Sequence, residues 1–304
     1  MLTIYIPTYN RLRHLQLLLT SLFVELDEHP SISSNVIIKI FNNNSSDDTE
    51  KYLKSLTRNN VFVVNRKNNI GGDANISDGI KQCDTEYLWI LGDDDIPYNG
   101  LLTKIIQFLT LQKPDLLYLP AVWCSDFFED PIPSVASDFF IEKRNPEQFI
   151  KIVGIKLTFI SSFIFSFRHY SLFKNNEDVR FAANSNFAQL AFFSPAIISG
   201  RELYVINHAV IRATGNTNFQ YSLINSFGID LPNIVKKIFA INTTLSDLII
   251  KNLVIAFLPS FLYSIRFGSS KSFDKDIPWE SLKSALRSYK AFWIFVYPLK
   301  FLPK

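Results

Sequence analysis

Short apolar runs alternate with helix-spaced apolar positions along the first 120 residues. Residues 2–6 form a β-rich run that ends at Pro7, and Leu12, Leu15, Leu18, Leu19 and Leu22 then recur at the intervals of one helical face. Residues 36–41 predict a second strand, and Asp47 followed three positions later by Glu50 opens a helix through Leu56 in the manner of a capping box. A third strand over 61–64 is followed by the loop Asn68-Asn69-Ile70-Gly71-Gly72, which leads into a helix near 75–83. Residues 87–91 predict a fourth strand that stops at Gly92-Asp93-Asp94-Asp95; a helix over 101–111 and a fifth strand over 116–119 follow. Strands spaced by helices in this way imply an α/β fold with a mainly parallel sheet covered on both faces.

The pattern changes after Pro120. Residues 121–148, rich in Pro, Asp and Phe, read as an irregular excursion, and 159–167 as a strongly apolar strand. A polar turn at 175–178, a helix near 187–193, a strand over 204–212 and helices over 233–265 and 279–297 complete the chain. The expected division is a domain over 1–228, with halves 1–120 and 121–228, and a basic, aromatic-rich helical region over 229–304. The first residues have no positive segment followed by an apolar one, so no secretory signal is expected. The longest apolar candidate, 253–265, is interrupted by Pro259, Ser260 and Ser264, so no conventional membrane span is expected.

Composition narrows the class. With 304 residues, 47% hydrophobic and 19% charged, the chain is long and apolar enough for a sizeable core, which excludes disordered and collagen-like classes. Two cysteines, Cys83 and Cys124, are too few for a disulfide scaffold or a four-thiolate zinc site. The net charge of +3 hides an asymmetry: from Asp230 to Lys304, 11 basic residues face 5 acidic ones, a net of +6. Large apolar residues such as Phe292, Trp293, Phe295 and Tyr297 lie among those cations, so an anionic membrane surface fits this segment better than nucleic acid. A packed terminal helix with solvated lysines is the alternative.

Candidate chemistry lies where the strands end. Thr8-Tyr9-Asn10-Arg11 follows the first strand, Asn42-Asn43-Asn44-Ser45 the second and Asp93-Asp94-Asp95 the fourth; in parallel sheets ligands bind beyond these carboxyl ends. Three adjacent carboxylates raise one another's pKa, a penalty that a divalent cation removes. Hard oxygen ligands favour Mg²⁺ or Mn²⁺, completed by phosphate oxygens and water, whereas the plainer reading is a solvated acidic turn. The chain has no G-x-x-x-x-G-K-[ST], H-E-x-x-H, G-x-S-x-G or C-x-x-C motif, and no glycine-rich dinucleotide fingerprint after the first strand.

Pro7-Thr8-Tyr9-Asn10-Arg11, Asn42-Asn43-Asn44-Ser45-Ser46-Asp47, Asn69-Ile70-Gly71-Gly72 and Tyr87-Leu88-Trp89-Ile90-Leu91-Gly92-Asp93-Asp94-Asp95 together resemble, in order and spacing, glycosyltransferase family 2. Gly71-Gly72-Asp73-Ala74-Asn75 and the aspartate motif look most like its bacterial O-antigen branch, which includes abequosyltransferases. The resemblance covers the first 120 residues and implies the GT-A fold and an enzyme that takes a sugar from a nucleotide diphosphate with Mn²⁺ or Mg²⁺. It implies that Thr8 and Tyr9 border the nucleoside, that Arg11 approaches the base or diphosphate, and that Gly71 and Gly72 pass close to the donor. It further implies Asp93 near the ribose, Asp94 beside it and Asp95 on the metal. Where the family commonly has two aspartates this chain has Asn42 and Asn43; a carboxamide at Asn43 can accept or donate, which leaves UDP-, CDP- and dTDP-sugars open. Inversion, general in the family, calls for a carboxylate base, for which Asp178 and then Glu177 stand at a suitable distance along the chain. His169, His208 and Arg212 are further candidates for phosphate or acceptor contacts.

The resemblance implies an acceptor saccharide linked to a polyprenyl diphosphate at the cytoplasmic face of the plasma membrane, in O-antigen or capsule synthesis. Two rivals are a sugar nucleotidyltransferase, which would need a triphosphate loop near the first strand, and a catalytically silent binding component of a polysaccharide-assembly complex.

Overall fold

The computed structural model describes residues 1–124, 130–173, 177, 185–214, 222–267 and 276–302. Its first strand, β1 (Leu2–Thr8), is buried at every position except Pro7, which is why the run lacks a polar alternation. Leu2, Ile4 and Ile6 face one side of the sheet and Tyr5 the other, as the two-residue period of a strand requires. β2 (Val36–Asn42) and β4 (Tyr87–Ile90) flank β1 in parallel, and β3 (Val61–Asn65) joins β2 in parallel.

Further strands build an eight-stranded sheet in the order β3-β2-β1-β4-β9-β6-β10-β8, with β6 (Leu116–Tyr118), β8 (Ile141–Arg144), β9 (Phe163–Ser166) and β10 (Leu203–Ile206). The half with β1 to β4 is wholly parallel. Beyond it β9 runs antiparallel to both β4 and β6, and β8 antiparallel to β10, so the sheet is mixed. A second, three-stranded sheet orders β5 (Asp95–Pro97), β11 (Ile211–Thr214) and β7 (Ala121–Cys124). The stretch expected to be irregular thus contains β7 and β8, which pair with β11 and β10 from much later in the chain. The single strand expected over 204–212 is likewise two strands in different sheets.

One face of the large sheet is covered by the helices Leu12–Glu28 and Leu101–Gln112, which bury Leu15, Leu18, Leu19, Leu22, Ile105 and Leu109 against β1. On the other face the helix Gly72–Lys81 sits close enough to β1 that a Cβ on Gly79 would overlap the Tyr5 ring, so only glycine admits this approach. The helix Ala188–Ser199 and the C-terminal helices share that second core, where Phe192, Phe193, Leu253, Leu258, Leu282 and Phe292 are all buried.

Residues Thr243–Phe267 form one helix long and apolar enough to cross a membrane, so Pro259, Ser260 and Ser264 do not break it as expected. A π-helical turn at Leu253–Phe257 precedes Pro259, and Ser260 and Ser264 return their hydroxyls to the carbonyls of Phe257 and Phe261. Leu253, Val254, Leu258 and Leu262 are fully buried in the protein core, so this helix is an integral part of the fold.

Candidate functional site

Because β1, β2 and β4 are parallel, their carboxyl ends share one edge of the sheet, and the polar clusters predicted there come together. The turn after β1 locks onto the turn after β2: Asn10 adopts φ 52°, its backbone N–H donates to Ser45 Oγ (2.9 Å), and its side-chain oxygen accepts from Ser46 N (2.7 Å). Asn43 N donates to Thr8 O at 2.9 Å. Thr8 is buried and Tyr9 exposed beside it.

Both asparagines after β2 hold backbone. Asn42 Oδ1 accepts from Ser45 N (3.0 Å) and Ser45 Oγ (2.6 Å). Asn43 donates to Asn69 Oδ1 (2.8 Å) and Gly71 O (3.2 Å) and accepts from Ile70 N (3.0 Å), so its carboxamide fastens the glycine loop. Gly71, at φ 86°, and Gly72 line a cleft of about 410 Å³ with Asp73, Ser77, Lys81 and Asn186.

The aspartates bridge the two sheets, with Asp93 just past β4 and Asp95 opening β5. Arg11, which begins the first helix, reaches over to Asp93 Oδ1 (3.1 Å) and Asp94 Oδ2 (2.6 Å). Burial opposes the charge on Arg11, but Asp93 and Asp94 outweigh it and raise its pKa. Asp93 is buried, and its pKa is pushed up to about 6 by desolvation against the pull of Arg11, with Asp94 adding repulsion. Its Oδ2 has no hydrogen-bond partner among the described residues. Asp95 is pushed well above the usual carboxylate range, first by burial and then by the charge of Asp94, even though Ser161 Oγ donates to its Oδ2. Gly92 makes room for this carboxylate, since a Cβ there would lie 2.7 Å from Asp95 Oδ2.

Ser161 was not foreseen from the sequence. It accepts from Gly92 N (2.9 Å) through Oγ and from Trp89 Nε1 (2.7 Å) through its carbonyl, so it fixes the motif from 66 residues downstream. Thr214 Oγ1 donates to Asp94 O at 3.2 Å from β11. A serine and a threonine in apolar surroundings carry no signal that could single them out.

Other candidates lie apart. Arg212 is buried and donates to the carbonyls of Asp130 (2.9 Å) and Pro131 (3.2 Å). His169 bonds to Asp115 Oδ1 (2.7 Å) and Ser199 Oγ (2.8 Å); Asp115 also accepts from Arg201 N and Glu202 N just before β6, at the opposite edge of the sheet from the aspartates. His208 pairs with Asp138. Glu177 is exposed, and Asp178 lies outside the described residues.

Among the described residues no three His, Cys, Asp or Glu side chains form a preassembled cation cage. The aspartate set nevertheless suits a hard divalent ion: burial raises the proton affinity of two carboxylates, and one buried carboxylate oxygen has no partner among the described residues. Such ions retain water and take substrate phosphate oxygens to complete their shell.

A family model described as Glycosyl transferase family 2 matches residues 3–173, more than half of the chain. Abequosyltransferase RfbV of Salmonella typhimurium is 32% identical over 110 residues, which cover 35% of this chain and 32% of that protein. The GalNAc(5)-diNAcBac-PP-undecaprenol beta-1,3-glucosyltransferase of Campylobacter jejuni is 27% identical over 109 residues, covering 35% of this chain and 33% of that protein. The matches thus span about a third of the length of these curated relatives. Among solved structures, S. aureus TarS 1-349 in complex with UDP-GlcNAc superposes with a TM-score of 0.65 at 16% identity, covering 94% of this chain and 80% of that one. TarS 1-349 in a separate crystal structure gives 0.61 at 18% identity, over 88% and 75% of the two chains. The shared architecture is the GT-A fold.

Proposed function

The chain belongs to glycosyl transferase family 2, and from that membership we propose that it moves one sugar from a nucleoside-diphosphate donor to a lipid-linked saccharide in O-antigen or capsular polysaccharide synthesis. The observation that carries this reading is the aspartate edge: Asp93 and Asp95, buried and raised in pKa, stand beside Arg11 at the carboxyl ends of parallel strands. One of the two curated relatives supports the acceptor class, since by its name it acts on an undecaprenyl-diphosphate-linked saccharide.

In this proposal Thr8, Tyr9 and the loop pinned by Asn43 border the nucleoside of a UDP-, CDP- or dTDP-sugar, and Gly71 and Gly72 line the donor cleft. Arg11 balances charge at Asp93 and Asp94. Asp93, near the ribose, and Asp94 face the nucleotide sugar, and Asp95 would hold Mn²⁺ or Mg²⁺, which when bound offsets the charge of the departing diphosphate. The acceptor hydroxyl attacks the anomeric carbon from the face opposite the diphosphate, the bond to the diphosphate oxygen breaks, and the hydroxyl proton passes to a carboxylate, Asp178 or Glu177. Thermal unfolding against UDP, CDP, GDP and dTDP, with and without Mn²⁺, tests the donor assignment. At 100 times its dissociation constant one diphosphate should stabilise the native state by roughly 2.7 kcal/mol, and only with the metal. No response to any of the four would favour the silent binding component.

We further place the protein peripherally on the cytoplasmic membrane face. Trp293, Ile294, Phe295 and Phe301 are exposed near Lys290 and Lys300, a combination suited to an anionic bilayer. Since Phe292 and Val296 are core residues, side-chain changes test this better than truncation. The double substitution Ile294→Ser and Phe295→Ser should reduce sedimentation with anionic liposomes severalfold; equal partition of variant and parent would refute the placement.

A further inference from the structure

A second cleft, of about 640 Å³, lies on the side of the aspartates away from Thr8 and Asn43, between the 155–162 segment, β7 and the C-terminal helices. Its walls are aromatic: Trp123, Phe159, Phe227, Phe257 and Phe261 all line it. The rings pack in two groups, with centroids 5.0 Å apart for Trp123 and Phe159, 4.8 Å for Phe227 and Phe257, and 5.3 Å for Phe257 and Phe261. Trp123 nonetheless stays 61% exposed. An apolar recess left open to water costs free energy that an apolar ligand would recover.

The cleft lining is one residue removed from Asp95 along two paths. Ser162 lines the cleft, and its neighbour Ser161 donates to Asp95. Trp123 pairs with Ala213 across β7 and β11, and Ala213 pairs with Asp95 across β11 and β5. Polar groups are few and specific. Lys156 is exposed at the cleft and makes no ion pair with any described residue, whereas Tyr118 Oη and Ser162 Oγ are buried from solvent and have no hydrogen-bond partner among the described residues. The outer end runs along the helix Thr243–Phe267, which also exposes Ile255 and Tyr263 to solvent.

One exposed cation beside a long aromatic wall fits an anionic head on a hydrocarbon chain. A saccharide alone would leave most of this surface without apolar contact and would need more polar partners than the walls offer. We propose that this cleft holds the proximal isoprene units of the lipid-linked acceptor, with Lys156 at its diphosphate; this rests on the acceptor class proposed above. The chain's own lipid site then sets the acceptor's direction, with the saccharide pointing toward Asp95 and the hydrocarbon leaving along the C-terminal helix toward the membrane.

Calorimetric titration of the full-length protein with farnesyl diphosphate tests this without any turnover. Farnesyl diphosphate should bind at least tenfold more tightly than inorganic diphosphate, and saturating UDP with Mn²⁺ should not displace it. Phe261→Ser should weaken it about tenfold, the effect of losing contact worth roughly two methylene groups. Lys156→Ala, a surface change that leaves the core intact, should weaken it severalfold and keeps the test open if the Phe261 variant does not fold. Equal affinity in parent and variants, absence of binding, or displacement by UDP would overturn the assignment. Tight binding of a soluble acceptor saccharide that competes with farnesyl diphosphate would overturn it as well. Nucleoside-diphosphate stabilisation, measured on the same proteins, separates failure of the cleft from failure of the transferase reading.

Discussion

Asp95→Asn is expected to keep the fold and lose transfer by about a thousandfold or more. The carboxyl of Asp95 is buried, and burial together with Asp94 already holds its pKa well above the usual range. A neutral amide therefore mimics a state the apo protein accepts, and the side-chain oxygen can still accept from Ser161. Thermal unfolding without metal should be unchanged or shifted upward. Function should respond in the opposite direction, because a cation that neutralises a leaving group contributes several kcal/mol to the barrier and each 1.36 kcal/mol is about tenfold in rate. Turnover of a nucleotide sugar together with apo-protein unfolding checks both halves. A variant within tenfold of the parent in turnover would remove Asp95 from the chemistry.

Metal binding should also reverse the pH dependence of stability. The pKa of Asp93 in the folded protein is about 6, against 3.8 for the free side chain. Between those values the native state holds a proton that the unfolded state has released, so stability falls as pH rises and the loss is complete above the folded pKa. Asp95, raised likewise by burial and by the charge of Asp94, acts in the same direction. A divalent cation at Asp95 supplies positive charge that favours the ionised form of both buried carboxylates. Calorimetry should therefore show the metal-free Tm declining by several degrees from pH 5 to pH 7.5, with Mn²⁺ adding little at pH 5 and restoring most of the loss at pH 7.5. A metal increment as large at pH 5 as at pH 7.5 would show that these carboxylates do not bind it.

The first half of the chain was legible because its signals are local. Buried parallel strands read as predominantly apolar runs in β1, β2 and β4, and the turns after them carry Asn, Gly and Asp. The second half was less so. β7 and β8 lie in a stretch of Pro, Asp and Phe, and their pairing to β11 and β10 depends on residues about 60 to 90 positions away. In the C-terminal helix Pro259 and its neighbouring serines resembled a break, yet a π-helical turn and serine-to-carbonyl hydrogen bonds carry the helix through.

By itself the sequence determined the α/β class, the alignment of polar clusters at strand ends and the acidic motif 93–95, since strand period, helix spacing and turn chemistry are set by neighbours in the chain. Only the tertiary structure decided that Ser161 and Arg11 meet those aspartates, that Asn43 is committed to the Gly71 loop, and that residues 118–162 and the C-terminal helices enclose an aromatic cleft. The reason is physical: desolvation, like-charge repulsion and an open cleft arise only when residues distant in the chain are packed together, and no local pattern encodes that distance.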